Sequence, residues 1–245
     1  MLLDTARSVA LLFHTLGCSL AALAGEVVRP GRGVPGRVMD WWGRRFPALG
    51  GWRVEAGGLE NLPPGGAVLV SNHQSLADIP LFLSVVPGEV RFLAKRELGR
   101  IPLFGRALAG SGNLLVDRAD PRDGAHLLAE ASRRLSGGLR LVVFPEGTRS
   151  RDGVVGPFKG GAFLLAKRAS VPVVPVRIDG GREALPKGSY RFRPARLSLV
   201  VLPPLDPSLS PAGMAEAARA AIVAEGLRNG RGCSPAASPP VSGTL

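Results

Sequence analysis

In "SNHQSLADIP", residues 71–80, His73 precedes Asp78 by five positions and follows Asn72 directly. Histidine moves protons near neutral pH, and a carboxylate on one ring nitrogen fixes the tautomer and makes the other nitrogen a better general base. On a continuous helix, five positions set two side chains roughly 140° apart. The pair can therefore meet only if a helix starts between them. Two starts fit: Ser75 as N-cap with Asp78 three positions on, or Asp78 itself as N-cap. Pro80 favours the second, because a missing N–H costs nothing at the start of a helix. Capping alone would account for Asp78, and a structural role for a lone histidine. Their company with Asn72 at the end of an apolar run shifts the balance toward function.

A second constellation follows the apolar run "LRLVVF". "FPEGTRS" (144–150) gathers Glu146, Gly147, Thr148, Arg149 and Ser150. Gly147 lets the backbone approach a ligand, and the planar fork of Arg149 matches phosphate or carboxylate oxygens. The plain alternative is a turn with a surface Glu–Arg pair, which contributes little. After "NLLV", Asp117 and Arg118 offer either a structural ion pair or a second phosphate contact. Two arginines from neighbouring strand ends, aimed at one crevice, would make a phosphate site. No nucleophile stands out: Cys18 and Cys233 lie far from these motifs, and there is no GxSxG elbow. His14, His73 and His126 show no paired metal-ligand spacing, so no metal is expected. The simplest remaining chemistry is a lone base that activates an incoming hydroxyl on a molecule held by its phosphate.

These motifs need elements that hold them. From Trp52 onward, β-rich runs ("WRVEA", "AVLVS", "VRFLAK", "NLLVD", "LRLVVF", "VPVVPVRI", "RLSLVVL") alternate with helical stretches ("DIPLFLSVV", "PLFGRALAG", "DGAHLLAEASRRL", "GAFLLAKRA"), and "PAGMAEAARAAIVAEGL" follows the last strand. Such alternation predicts one α/β domain with a largely parallel, mixed sheet flanked by helices. In that class ligands gather where strands end, which is where the motifs sit.

Before this domain, "SVALLFHTLGCSLAALAG" (8–25) is apolar but interrupted by Ser8, His14, Thr15 and Ser19, and reads as a poor spanning helix. Ala22-Leu23-Ala24 has the form of a signal cleavage site, opposed by Asp4 beside Arg7 and by His14 in the apolar centre. The preferred reading is a helix retained in the membrane interface. Residues 27–47 add Arg29, Arg32, Arg37, Arg44 and Arg45 to Trp41 and Trp42, which would either sit at headgroup level or pack on the domain from a basic linker. The expected division is therefore 1–45 membrane-associating segment and linker, 46–228 α/β domain, and 229–245 a disordered Gly/Ser/Pro-rich tail. A net charge of +12 over 245 residues calls for an anionic partner. Aromatic content of 5% and the lack of a basic–aromatic stacking run argue against nucleic acid. The two widely spaced cysteines indicate no disulfide framework and fit a reducing, cytoplasmic-side protein.

"NHQSLAD" resembles the NHx4D motif of the glycerolipid acyltransferases, the 1-acyl-glycerol-3-phosphate acyltransferase family, and "FPEGTRS" is similar to that family's acceptor-binding motif. "GNLLVDR" (112–118) and "VPVVPV" (171–176) resemble two further blocks, so four ordered motifs run from about Ala67 to Val176. The resemblance implies direct acyl transfer from a thioester, on coenzyme A or acyl carrier protein, to the free hydroxyl of a lysophospholipid such as lysophosphatidate, with no other cofactor. It makes His73 the base and Asp78 its orienting partner. It assigns Arg118, Glu146, Gly147 and Arg149, with Thr148 less firmly, to the acceptor phosphate. Asn72, Lys95 and Pro175 become pocket positions. It also implies a monotopic or peripheral enzyme on the cytoplasmic face of the cell membrane. Leu115, where an aromatic is common, and Gly160, where a basic residue is common, bear on acceptor choice. Glycerol 3-phosphate or another lyso-lipid remains an alternative acceptor, and a non-catalytic lipid-surface protein an alternative of another class.

Overall fold

All seven apolar runs become strands. In the computed structural model, which describes residues 2–117 and 121–228, they are β1 (Arg53–Gly57), β2 (Ala67–Ser71), β3 (Val90–Lys95), β4 (Leu114–Val116), β5 (Arg140–Val143), β6 (Val173–Asp179) and β7 (Arg196–Val201). They form one sheet in the order β1-β7-β6-β2-β5-β3-β4. Every neighbouring pair is parallel except β6 with β7. Eight helices accompany them among the described residues: α1 (Leu2–Val28), α2 (Val34–Gly50), α3 (Asp78–Val85), α4 (Phe104–Gly110), α5 (Pro121–Ser136), α6 (Gly161–Ala169), α7 (Gly181–Ala184) and α8 (Pro211–Arg228).

Strand β2 shows why its sequence lacks polar alternation. Ala67 and Leu69 enter a core with Leu11 of α1, Phe46 of α2 and Phe82 of α3, while Val68 and Val70 enter another with Leu135 of α5, Phe163 of α6 and Ala218 of α8. Successive side chains point to opposite faces of a strand, so a sheet covered on both faces needs apolar residues at every position.

The N-terminal region departs most from expectation. Helix α1 is continuous for 27 residues, about 40 Å at 1.5 Å per residue, and is long and apolar enough to cross a membrane. Of the polar residues that seemed to interrupt it, His14 reaches out to the Trp42 carbonyl at 3.2 Å and the other three bond within it. Ser8, Thr15 and Ser19 donate their hydroxyls to the carbonyls of Asp4, Leu11 and Thr15, at 2.7, 2.8 and 2.9 Å. The segment read as a basic linker is helix α2, and a division at residue 45 cuts through it. Its Asp40 pairs with the buried Arg91 of β3 at 2.6 Å, and its Phe46 belongs to the main core. Both helices thus pack on the sheet's core, α1 through Leu11 and α2 through Phe46. Arg118 and the tail 229–245, which was expected to be disordered, lie outside the described residues.

Candidate active site

Strands β2 and β5 lie side by side, with Val70 in register with Val143. Their exits, "SNHQSLAD" and "FPEGTRS", therefore leave the same edge of the sheet together. After β2 the chain makes a turn before α3 starts. Asp78 is the first helical residue, with Ala77 in the N-cap position and Pro80 two residues further on. Of the two starts proposed from the sequence, the favoured one with Asp78 as N-cap is not adopted, and the hydrogen bonds follow the other: Ser75 Oγ accepts from the Ala77 N–H at 3.1 Å while the Ser75 N–H donates back to the Asp78 carboxylate, as in a capping box. Asp78 Oδ2 accepts from the N–H groups of Gln74 and Ser75 at 2.7 and 2.9 Å, and from Nδ1 of His73 at 2.8 Å. The contact that helical spacing forbids is made because residues 74–77 fold back.

With Nδ1 donating to Asp78, the imidazole presents Nε2 as the basic nitrogen. Nε2 has no hydrogen-bond partner among the described residues, and the ring keeps 16% of its surface exposed against 1% for Asp78. The ring stacks on Phe144 at 4.0 Å between centroids and 13° between planes. One pinned nitrogen and one covered face leave the direction of Nε2 nearly fixed.

The loop after β5 grips the peptide group on either side of His73. Glu146 Oε1 accepts from the His73 N–H at 2.9 Å and Oε2 from the Gly156 N–H at 3.0 Å, while Ser150 N–H donates to the His73 carbonyl at 2.8 Å. The loop turns tightly because Pro145 occupies the second turn position and Gly147 adopts a left-handed φ of 75°, its N–H returning to the Phe144 carbonyl. Burial raises the Glu146 carboxyl above its ordinary value, and the amides of His73 and Gly156, then the nearby imidazole, pull partly the other way. Both Glu146 oxygens are thus engaged by backbone amides, one of the β2 exit and one of its own loop.

Arg149 is half-buried, and its guanidinium makes no ion pair among the described residues. Its carbonyl accepts from Lys187 Nζ at 2.7 Å, and the same ammonium lies 3.4 Å from the exposed Thr148 hydroxyl. The ends of β4 and β5 are not neighbours, since β3 runs between them. The position between those exits belongs to Lys95, exposed at the end of β3. Two residues assigned to a pocket turn inward instead. Asn72 exchanges hydrogen bonds with the backbone of Ile178, donating at 2.8 Å and accepting at 3.0 Å, and is 2% exposed. Pro175 is buried within β6 in register with Val70.

Sequence reasoning missed the exit of β6, which forms the far wall. Ser75 Oγ donates to the Leu185 carbonyl at 2.7 Å, and the Gln74 amide reaches Asp179 at 3.4 Å. At Gly181 a Cβ would fall 2.5 Å from Asp78 Oδ1 and 3.1 Å from Ser75 Cβ, so only glycine permits this approach. The signal was present in "IDGG" (178–181), polar and glycine residues directly after an apolar strand. On the other side of Asp78, Ile79 helps line an apolar cavity of ≈80 Å³ walled by α1, α2 and α4. Among the described residues no cluster of His, Cys, Asp or Glu is arranged to hold a metal ion.

Comparison with known proteins gives the family and the fold. The model of the Acyltransferase family matches residues 53–179, from β1 to the end of β6. The chain is 40% identical over 140 residues to a chloroplastic 1-acyl-sn-glycerol-3-phosphate acyltransferase of Brassica napus, covering 56% of this chain and 40% of that protein. It is 39% identical over 159 residues to 1-acyl-sn-glycerol-3-phosphate acyltransferase alpha of Ovis aries, covering 64% and 55%. The chain thus spans about half the length of these curated relatives. Over 95% of this chain and 100% of the other, its structure resembles the crystal structure of the 1-acyl-sn-glycerophosphate acyltransferase PlsC from Thermotoga maritima, with a TM-score of 0.74 and 28% identity.

Proposed function

Given that the chain belongs to the Acyltransferase family, we propose that it transfers an acyl group from a thioester to the free hydroxyl of 1-acyl-glycerol 3-phosphate, forming phosphatidate. The observation that carries this is the His73–Asp78 contact at 2.8 Å, with Nε2 unpartnered among the described residues and Arg149 on the adjoining loop. Nε2 takes the proton of the acceptor hydroxyl as its oxygen attacks the thioester carbonyl. Asp78 holds the tautomer and stabilises the imidazolium that results. When the carbonyl re-forms, the thiolate departs and receives the proton from Nε2. Neither an acyl-enzyme nor a metal ion is needed to balance these steps.

In this reading Arg149 meets the acceptor phosphate with Lys95 as a further cation, and the family resemblance adds Arg118, which lies outside the described residues. Gly147 and Thr148 shape the loop that presents Arg149. Glu146 supports this site indirectly, since its oxygens already hold the loop to His73. The apolar cavity beside Ile79, at ≈80 Å³, could take no more than a short piece of acyl chain. Exposed Leu12, Phe13, Leu16 and Leu20 on α1 and Trp41 on α2 would lie in the bilayer interface, on its cytoplasmic face. An acceptor embedded in lipid and a donor in water then meet at one site.

Incubation with lysophosphatidate and acyl-coenzyme A or acyl carrier protein should release free thiol and form phosphatidate, detected by mass. His73→Ala should abolish both while lysophosphatidate still binds. Product from glycerol 3-phosphate or another lyso-lipid alone would reassign the acceptor, and no product from any pair would overturn the reading.

A further inference from the structure

Residues 74 and 75 set where Asp78 stands, because its Oδ2 takes their two amides together with the imidazole. Their own side chains are tied to the chain after β6: Ser75 Oγ donates to the Leu185 carbonyl at 2.7 Å, and Gln74 Nε2 to Asp179 Oδ1 at 3.4 Å. The first tie ends on backbone. The second ends on a buried ion pair that lies outside the dyad.

Arg177 and Asp179 are two residues apart on β6 and so share one face of the strand, opposite to Ile178, which enters the core with Leu11 and Phe46. Arg177 Nε donates to Asp179 Oδ2 at 2.9 Å and Nη2 donates to Oδ1, a two-pronged contact that fixes both oxygens. The third nitrogen, Nη1, reaches the Ile222 carbonyl of α8 at 3.5 Å. One turn further along α8, a Cβ at Gly226 would fall 2.7 Å from the guanidinium carbon and 2.8 and 2.9 Å from its two terminal nitrogens. Glycine is disfavoured inside a helix, and here it leaves the room that the guanidinium fills.

Gln74, Arg177 and Asp179 are all buried. A buried ion pair adds little stability over well-packed apolar residues of similar volume, so the fold alone does not account for this one. What it supplies is a carboxylate oxygen fixed in direction, with its charge balanced by Arg177, where the Gln74 amide meets it.

We infer that Arg177 and Asp179 are positioning residues for acyl transfer. They anchor Gln74, Gln74 sets one of the amides that Asp78 accepts, and Asp78 aims His73. The inference rests on the reading of His73 as the base, and it extends the site to α8, away from the reacting atoms. A methyl group added on α8 should therefore be felt at the imidazole.

The test is a mutant cycle in the full chain. Gln74→Leu removes the anchored group and leaves Asp179 paired with Arg177. Arg177→Met/Asp179→Leu removes the pair and leaves no lone buried charge, while Gly226→Ala displaces the guanidinium with every charge retained. Each should lower kcat by roughly tenfold or more, the scale of a small misplacement near the chemistry, with the KM for lysophosphatidate and the melting temperature little changed. Added to Gln74→Leu, neither of the other changes should lower kcat further, because the three act through one contact. Amide hydrogen exchange should quicken at Gln74 and Ser75 in each variant and stay unchanged in the rest of the sheet. Wild-type kcat in either the pair variant or Gly226→Ala would reduce the pair to a structural role and overturn the inference. So would additive losses, or an effect confined to KM. Should the pair variant fail to fold, Gly226→Ala alone decides on the same terms. If the wild-type chain transfers no acyl group from any donor, the functional reading fails and exchange decides the rest: quickened exchange at Gln74 and Ser75 upholds the anchoring, and unchanged exchange overturns it.

Discussion

Asp78 holds His73 and the turn between them with a single oxygen, Oδ2, which takes the imidazole Nδ1 at 2.8 Å and two backbone amides at 2.7 and 2.9 Å. The carboxylate therefore has a structural and an electrostatic task, and an isosteric change separates them. Asp78→Asn can keep an oxygen toward the amides but loses the charge that stabilises the imidazolium. The expected result is a kcat lowered roughly 10²–10⁴-fold, with the acceptor KM and melting temperature little changed. Retained kcat would show that the charge is not used.

The wall formed by the β6 exit should be as sensitive as the dyad. In Gly181→Ala the added methyl carbon would lie 2.5 Å from Asp78 Oδ1, so the carboxylate or the β6 exit must shift. Overpacking of this kind costs about 1–3 kcal/mol, and the displaced carboxylate should lower kcat by at least roughly tenfold, as a 1 Å misplacement near chemistry does. Gly65→Ala, where nothing lies within 4 Å of the new carbon, is the matched control and should alter neither kcat nor melting temperature.

Gly181 also shows where sequence reading stops. The strands were legible because β2 and the first part of β6 are covered on both faces and so run apolar over 67–70 and 173–176. His73 and Asp78 were legible because each follows a strand end within one short motif. Gly181 meets Asp78 from far along the chain, and Phe144 stacks on His73 from the exit of another strand, a pairing set by the β2–β5 register. Sheet order is not written in local pattern, so residues brought together by strand adjacency stayed hidden. The same gap let β4 and β5 be taken for neighbours. Helix α2 was missed for a different reason: its Arg, Gly and Pro content resembles a linker, and its order comes from tertiary contacts such as Asp40 with Arg91.

Glu146 predicts a pH signature. Burial raises its carboxyl above the ordinary value of 4.5, so the proton is held more tightly in the folded than in the unfolded chain. Its contribution to stability is fully present below 4.5 and is lost as pH rises through the folded value. Glu146→Gln cannot titrate and escapes that loss. It has one acceptor oxygen for two amides, so it also carries a pH-independent cost of about 1–3 kcal/mol. Denaturation of both proteins between about pH 4 and 7 should show the variant weaker at the acid end and the difference narrowing as pH rises. A constant difference would mean that burial does not perturb this carboxyl.

The adjacent tryptophans of α2 have opposite surroundings and should fail in opposite ways. Trp42 Nε1 donates to Thr15 Oγ1 at 3.0 Å and its ring meets Phe46 edge-on at 5.0 Å, so it fastens α2 to α1 and the core. Trp41 is 52% exposed, with the Arg45 guanidinium 5.9 Å above its ring. Trp42→Ala should cost about 2–4 kcal/mol of stability, because it opens a void and removes the hydrogen bond that ties α2 to α1. Trp41→Ala should leave the melting temperature unchanged and weaken partition onto anionic vesicles by about tenfold, or about 1.4 kcal/mol. Its kcat on a short-chain, water-soluble acceptor should stay at the wild-type value, because Trp41 touches nothing at the dyad. Unweakened vesicle binding by Trp41→Ala, combined with loss of stability, would place that indole against protein and move the lipid contact to the exposed face of α1.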